Sequence, residues 1–255
     1  MPSHGKPPRI CVIGDSQMGS LRQADDSGLV AWPAGSEVEY WGATGPKFRN
    51  IRWQGGALRA SGTALADVHK INVAKREVIA PGDFDILVFY GSRLRVAEFM
   101  LRMADWRYRT GSWPSQAVLD AAAEKFTSSV RTFHTCAHFA QAGTSVYFVP
   151  SPLYTDGIVN MLARGAPLHQ FPKAVEAQKE DRDILWSTIQ TLARSRGFDV
   201  LRQPEDTVTG GVFTKTEFAC EGAKDSGDFG HKSPAFAARW MKELLPLLPA
   251  QPRAA

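Results

Sequence analysis

The chain has 255 residues, 44% of them apolar and 22% charged, with both signs interspersed and a net charge of +4; that is ample for one large hydrophobic core. The cations form no Lys/Arg block, so composition does not point to nucleic acid, and no apolar run approaches the roughly 20 residues of a membrane helix. Cys11, Cys136 and Cys220 are odd in number and widely spaced, with no C-x-x-C, which argues against a disulfide framework or zinc ribbon and for reduced thiols. The segment from Met1 to Arg9 is polar and lacks the apolar stretch of a signal peptide, so the expected location is the cytoplasm.

Arg9 to Gly14 (RICVIG) reads as a buried strand ended by glycine, and Gln17 to Ala24 as a helix, leaving Gly14-Asp15-Ser16 as the turn between them. Glu37 to Trp41 predicts a second strand that opens into a loop, Gly42-Ala43-Thr44-Gly45-Pro46. Ile51 to Ala60 predicts a hairpin around Gly55-Gly56, whereas Ala64 to Ala80 fits no single pattern. Asp85 to Tyr90 (DILVFY) is the most apolar strand, closed by Gly91, and Val96 to Arg107 predicts a helix.

Ser115 to Gln141 predicts one long helix with Gly143 beyond its end, followed by a strand from Thr144 to Val149 that stops at Pro150. Lys173 to Arg196 predicts another long helix, then a short strand from Phe198 to Leu201. Gly222 to Gly230 is a polar loop, Ser233 to Leu245 a last amphipathic helix, and Pro246 to Ala255 a fraying tail; residues 1–8 are also expected to fray. Strands that are apolar throughout and alternate with helices predict one domain over residues 1–255, a three-layer α/β/α sandwich around a mostly parallel, flavodoxin-like sheet. Ligands of such sheets lie outside the carboxyl ends of the strands. Gly14-Asp15-Ser16, the Gly42 to Gly45 loop and Gly91 to Leu94 all fall there.

Ser16 follows a buried strand and opens a helix, where unpaired N–H groups and the helix dipole favour an oxyanion; a helix-capping serine would occupy the same place. Asp228-Phe229-Gly230-His231 sets an aspartate three residues before a histidine. Histidine is the side chain whose ordinary pKa, about 6.5, suits a base near neutrality, and an aspartate can orient it and stabilise its imidazolium form. An incidental surface loop would carry the same residues without consequence.

Together, the N-terminal Gly14-Asp15-Ser16 and the C-terminal Asp228-Phe229-Gly230-His231 resemble the SGNH (GDSL-type) esterase/lipase superfamily. The resemblance implies a serine carboxylester hydrolase with Ser16 as nucleophile, His231 as base and Asp228 as its partner, acting on small acyl esters such as acetyl groups of a sugar or other alcohol and using no metal or organic cofactor. It places one oxyanion donor at the Gly45 N–H. It expects a second at an asparagine in a G-x-N-D block, which here reads Gly91-Ser92-Arg93-Leu94, so that Arg93 stands in the asparagine's place.

Three dispositions of Arg93 remain open: a charge-assisted donor to the oxyanion, a clamp for an anionic group of the substrate, or a salt-bridged or solvated residue starting the next helix. Two other functions share the same residues. One is acyl transfer to a sugar hydroxyl; the other is a non-catalytic carbohydrate- or protein-binding domain on the same scaffold. The partner expected is a small-molecule or glycan ester, with no nucleic acid and no membrane.

His134 and His138, four residues apart, have zinc-compatible spacing but no third ligand and read as polar or half-buried side chains. The run Arg102, Arg107 and Arg109 with Trp106, Tyr108 and Trp113 reads as a helix end, with stacking on sugars or bases as the other possibility.

Overall fold

The computed structural model describes residues 7–157 and 167–249. The strands in chain order are β1 (Arg9–Gly14), β2 (Glu37–Gly42), β3 (Ile51–Gln54), β4 (Ala57–Ala60) and β5 (Val78–Ile79), then β6 (Ile86–Gly91), β7 (Ser145–Pro150), β8 (Asp199–Val200), β9 (Val208–Thr209) and β10 (Phe213–Thr214). The helices are α1 (Met18–Asp26), α2 (Thr63–Ile71), α3 (Val96–Thr110), α4 (Gln116–Ser128), α5 (Arg131–Gln141), α6 (Pro167–Gln170), α7 (Lys179–Ser195), α8 (Ala223–Ser226) and α9 (Pro234–Leu244).

The central sheet has the order β2-β1-β6-β7-β8, and every pairing in it is parallel. Counting only its own strands, this is the flavodoxin-like order 2-1-3-4-5, whose switch point lies between β1 and β6. Side chains alternate across the sheet, and both sides are covered. Ile10, Val12, Ile86, Val88 and Tyr90 pack with residues of α1 and α9 on one face. Cys11, Ile13, Leu87 and Phe89 pack with residues of α3, α4, α5 and α7 on the other. Burial on both faces is why the strands are apolar runs rather than alternating ones. The expected three-layer α/β/α fold is therefore present.

The long helix expected over 115–141 is two helices. Thr127 Oγ1 donates to Ala123 O at 2.9 Å, Ser128 Oγ to Lys125 O at 2.8 Å and Ser129 Oγ to Phe126 O at 2.8 Å, so hydroxyls take over the last carbonyls of α4. Val130 is then extended, with φ −97° and ψ 95°, before α5 begins. The helix expected over 173–196 starts later, at Lys179, because Pro172–Glu176 forms a separate 3-10 turn and the Gln178 N–H donates to Asp181 Oδ2 at 2.8 Å.

The hairpin at Gly55-Gly56 forms as expected, and the ambiguous stretch after it supplies α2 and β5, the latter extending the hairpin to three antiparallel strands. The short pair β9–β10 had no expectation in the sequence. Of the ends expected to fray, 1–6 and 250–255 lie outside the described residues. Pro8 and Leu248 are packed into the fold, and Pro8 O accepts from the Glu37 N–H at 3.2 Å.

At the carboxyl edge the strands β1 and β2 end on paired glycines, Gly14 and Gly42. A Cβ on Gly42 would stand 1.9 Å from the Gly14 carbonyl oxygen, which is backbone and cannot swing aside. Gly42→Ala is expected to lower stability by about 3 kcal/mol, whereas Gly19→Ala, in α1 with open space around its Cα, should raise it by about 0.5–1 kcal/mol. Urea unfolding of the two variants beside the wild type checks the contrast.

Candidate active site

Ser16 lies in the turn between β1 and α1, next to the switch point of the sheet. The turn is built by Asp15: its Oδ1 accepts the Gln17 N–H at 3.0 Å, and its carbonyl accepts the Met18 N–H at 3.1 Å. Among the described residues, neither the Ser16 N–H nor the Gly45 N–H donates to a protein acceptor. Gly45 opens a 3-10 helix (Gly45–Asn50) with φ +50°, and an N–H at such a helix start has no partner within the helix.

The opposite end of the chain delivers the other two residues. His231 Nε2 lies 2.8 Å from Ser16 Oγ, and His231 Nδ1 lies 2.6 Å from Asp228 Oδ2. An ionised carboxylate only accepts, so the proton sits on Nδ1 and Nε2 faces the Ser16 hydroxyl as acceptor. Asp228 Oδ1 also accepts the N–H groups of Gly230 and His231, both at 3.0 Å. Partial burial pushes the Asp228 carboxyl up, but the backbone and ring N–H groups of His231 and the Gly230 N–H outweigh it and hold Asp228 below its ordinary value. The imidazole is thus fixed in one tautomer and backed by a negative charge.

The loop that carries Asp228 and His231 is held from several sides. Phe229 O accepts from the Thr155 N–H at 3.1 Å, and His231 O from the Cys220 N–H at 3.3 Å. Gln17 Nε2 donates to Gly230 O at 3.4 Å. Ser233 caps α9 by accepting the Phe236 N–H, and Phe236, Trp240 and Met241 of that helix are buried against α1 and the sheet.

Lys232, next to His231, was not singled out from the sequence, yet it is only 3% exposed. Its Nζ donates to Phe229 O at 2.9 Å and to Gly230 O at 3.0 Å, clamping the loop from beneath. A lone lysine in a polar loop gives no sign of burial; its position directly after the histidine was the only available cue.

Arg93 is neither solvent-exposed nor free. Its Nη2 donates to the Gly45 carbonyl, and its Nε lies 3.6 Å from Asp15 Oδ2. Of the three dispositions expected, the ion pair is present, made to the aspartate that precedes Ser16, and α3 begins three residues further on at Val96. Gly91, Ser92 and Arg93 are consecutive left-handed residues, with φ of +70°, +38° and +67°, a conformation disfavoured for the last two. Ser92 is fully buried: its hydroxyl donates to Ile13 O at 2.7 Å, and its carbonyl accepts from Thr132 Oγ1 at 2.6 Å. These bonds over-determine the loop and hold the strain in place.

The other sequence candidates lie outside the Ser16–His231–Asp228 cluster, and Arg102, His134 and His138 line a neighbouring cavity. His134 Nε2 lies 3.1 Å from Ser128 O, and His138 stacks on Trp53 at 4.9 Å between centroids; no group of three or more potential metal ligands occurs among the described residues. Tyr108 and Trp113 both donate to Asp181 of α7, at 2.8 and 3.2 Å, and Arg109 pairs with Asp105 at 2.6 Å. Tyr108 and Trp113 therefore tie α3 and the segment after it to α7, whereas Trp106 is exposed and Arg102 lies over the Phe171 ring. Among the described residues no helix is long and apolar enough to cross a membrane. The chain matches no protein-family model, no curated protein and no solved structure.

Burial brings the Lys232 ammonium down to about 7, with Asp228 and Cys220 pulling the other way. An unfolded chain holds that proton up to about 10.5, so between these values unfolding takes up a proton and rising pH favours the folded state. The stability of the wild type relative to Lys232→Met is expected to rise with pH from about 7 to 10.5 in urea titrations. A difference that stays flat would mean that the amine remains charged in the fold.

Proposed function

We propose that the protein is a serine carboxylester hydrolase of the SGNH type, acting on small acyl esters such as acetyl groups of a sugar or other alcohol. The observation that carries the reading is the unbroken relay from Ser16 Oγ through His231 to Asp228, at 2.8 and 2.6 Å, set at the carboxyl edge of a parallel sheet. A helix-capping serine and an incidental surface histidine have no reason to meet in this order and tautomer.

Ser16 Oγ attacks the ester carbonyl carbon as its proton passes to His231 Nε2. The carbonyl electrons move to oxygen, and the N–H groups of Ser16 and Gly45, which have no protein acceptor among the described residues, are its donors. The bond to the alcohol breaks, the alcohol leaves with the proton from Nε2, and the acyl group stays on Ser16. Water then attacks the acyl-serine with His231 again as base, releasing the acid. Asp228 stays ionised throughout and stabilises the imidazolium of each transition state.

Arg93, paired with Asp15 and bonded to the Gly45 carbonyl, acts on the loop that holds the second N–H donor. Its role is to set that loop rather than to replace the family's asparagine. A non-catalytic binding domain on the same scaffold has no need of the relay.

Hydrolysis of p-nitrophenyl acetate is the direct assay. Ser16→Ala is expected to reduce turnover to background and Asp228→Asn to reduce kcat by about 10³–10⁴, both with the fold intact by circular dichroism. Activity should fall from acetyl towards long acyl chains. Undiminished hydrolysis by Ser16→Ala, or a preference for long chains, would contradict the proposal.

A further inference from the structure

Beside the candidate active site lies a cavity of about 980 Å³, within the range of small-molecule sites. Its wall runs from the 3-10 helix after Gly45, across the β3–β4 hairpin, to α3, α4 and α5. Arg93 belongs to both places. It lines the cavity, while its guanidinium reaches the Gly45 carbonyl and the Asp15 carboxylate next to Ser16.

The composition of the wall is unusual for a surface built only for solubility. Besides Arg93 it carries Arg49, Arg52, Arg95, Arg102, Lys125 and Arg131, against one acid, Glu98. Seven cations and one acid give +6, more than the +4 of the entire chain, so the remaining residues sum to −2. Glu98 is taken by Arg95 at 3.2 Å. Among the described residues no carboxylate lies within 4.0 Å of Arg49, Arg52, Arg102, Lys125 or Arg131.

Two of these guanidinium groups crowd onto a single carbonyl. Arg131 Nη2 and Arg52 Nε both donate to Arg49 O, at 2.9 and 3.4 Å. Burial, then the nearness of Arg52 and Arg49, lowers the pKa of Arg131. Cations held together without a counter-charge repel one another, and an anion placed among them removes that cost. The lining also includes aromatic rings, Phe48, Phe99, Phe126 and the half-buried indole of Trp53 on which His138 stacks, beside aliphatic residues and the polar Ser129, Thr132 and Thr135.

We propose that this cavity binds the non-reacting part of the substrate, and that this part is a polyanion: at least two negative charges, as phosphate or carboxylate, on a body with a flat apolar face. The substrate part of this statement rests on Ser16 being an ester nucleophile; the ligand class of the cavity does not. Arg93 then couples the two places, since the residue that faces the anion also holds the Gly45 loop.

Calorimetry on the whole protein with phenyl phosphate and benzene-1,3-dicarboxylate, and with benzyl alcohol as uncharged control, tests the ligand class. The anions are expected to bind about tenfold or more tightly than the alcohol, with an affinity that falls as salt rises. The double variant Arg52→Gln/Arg131→Gln should lose about tenfold in anion affinity, and Glu98→Gln, which removes the acid among the described residues of the wall, should gain severalfold. A parallel assay compares kcat/KM for 3-acetoxyphenyl phosphate and phenyl acetate, each normalised to its hydrolysis by hydroxide. The phosphate ester should be preferred, and the preference should collapse in the double variant.

Equal binding of anions and alcohol, or anion binding indifferent to both variants, would overturn the proposal. So would hydrolysis of both esters without preference, which would leave the esterase reading standing. Anion binding that follows the variants while neither ester is cleaved would uphold the cavity's ligand class and remove the esterase reading instead.

Discussion

One hydrogen bond joins residues 215 positions apart in the chain, the Ser16 hydroxyl and the His231 ring, and the arrangement of the site depends on it. Neither partner reaches the other through local structure. Ser16 is placed by the first strand of the sheet, His231 by the loop before the last helix, and the two meet because α9 packs beside α1 on the same face. The ring contacts of Tyr90, Phe236 and Trp240, with centroids 5.4 to 6.3 Å apart, fix where that helix sits. Since a displacement of about 1 Å at a reacting pair can cost about a hundredfold in rate, the packing of an apolar helix face is as much a part of the site as the polar residues.

The costs of the fold gather around the same point. Lys232 is buried, bonds no carboxylate among the described residues, and donates to two carbonyls of the histidine's loop. Ser92 and Arg93 are left-handed without being glycine, which costs on the order of 1–3 kcal/mol each. Gly14 and Gly42 meet backbone to backbone, where no side chain fits. Lys232 adjoins His231, Arg93 bonds the Gly45 carbonyl, and Gly14 and Gly42 precede Ser16 and Gly45 by two and three residues. Strain and burial concentrated in this way are what a site needs when its donors must be in place before the ligand arrives.

Much of this was legible in the residues. Strands such as RICVIG and DILVFY are largely apolar because helices cover both faces of the sheet, and that pattern, with the alternation of strands and helices, implies mostly parallel pairing. The polar pieces Gly14-Asp15-Ser16 and Asp228-Phe229-Gly230-His231 stand out because they interrupt or follow such elements. The break between α4 and α5 was hidden, since no proline or glycine marks it and three hydroxyl side chains end the helix instead. The burial of Lys232 was hidden for a similar reason: a cation's environment is made by other segments. The cationic cavity was the least visible feature, because its charges are scattered from Arg49 to Arg131 and only the fold gathers them.

The central claim is that Ser16 is an activated nucleophile, and labelling of the purified protein with a fluorophosphonate probe tests it most directly. The account predicts stoichiometric labelling of the wild type that disappears in Ser16→Ala and becomes far slower in His231→Ala. A correctly folded wild type that fails to label, or a Ser16→Ala variant that labels as fast as the wild type, would contradict it.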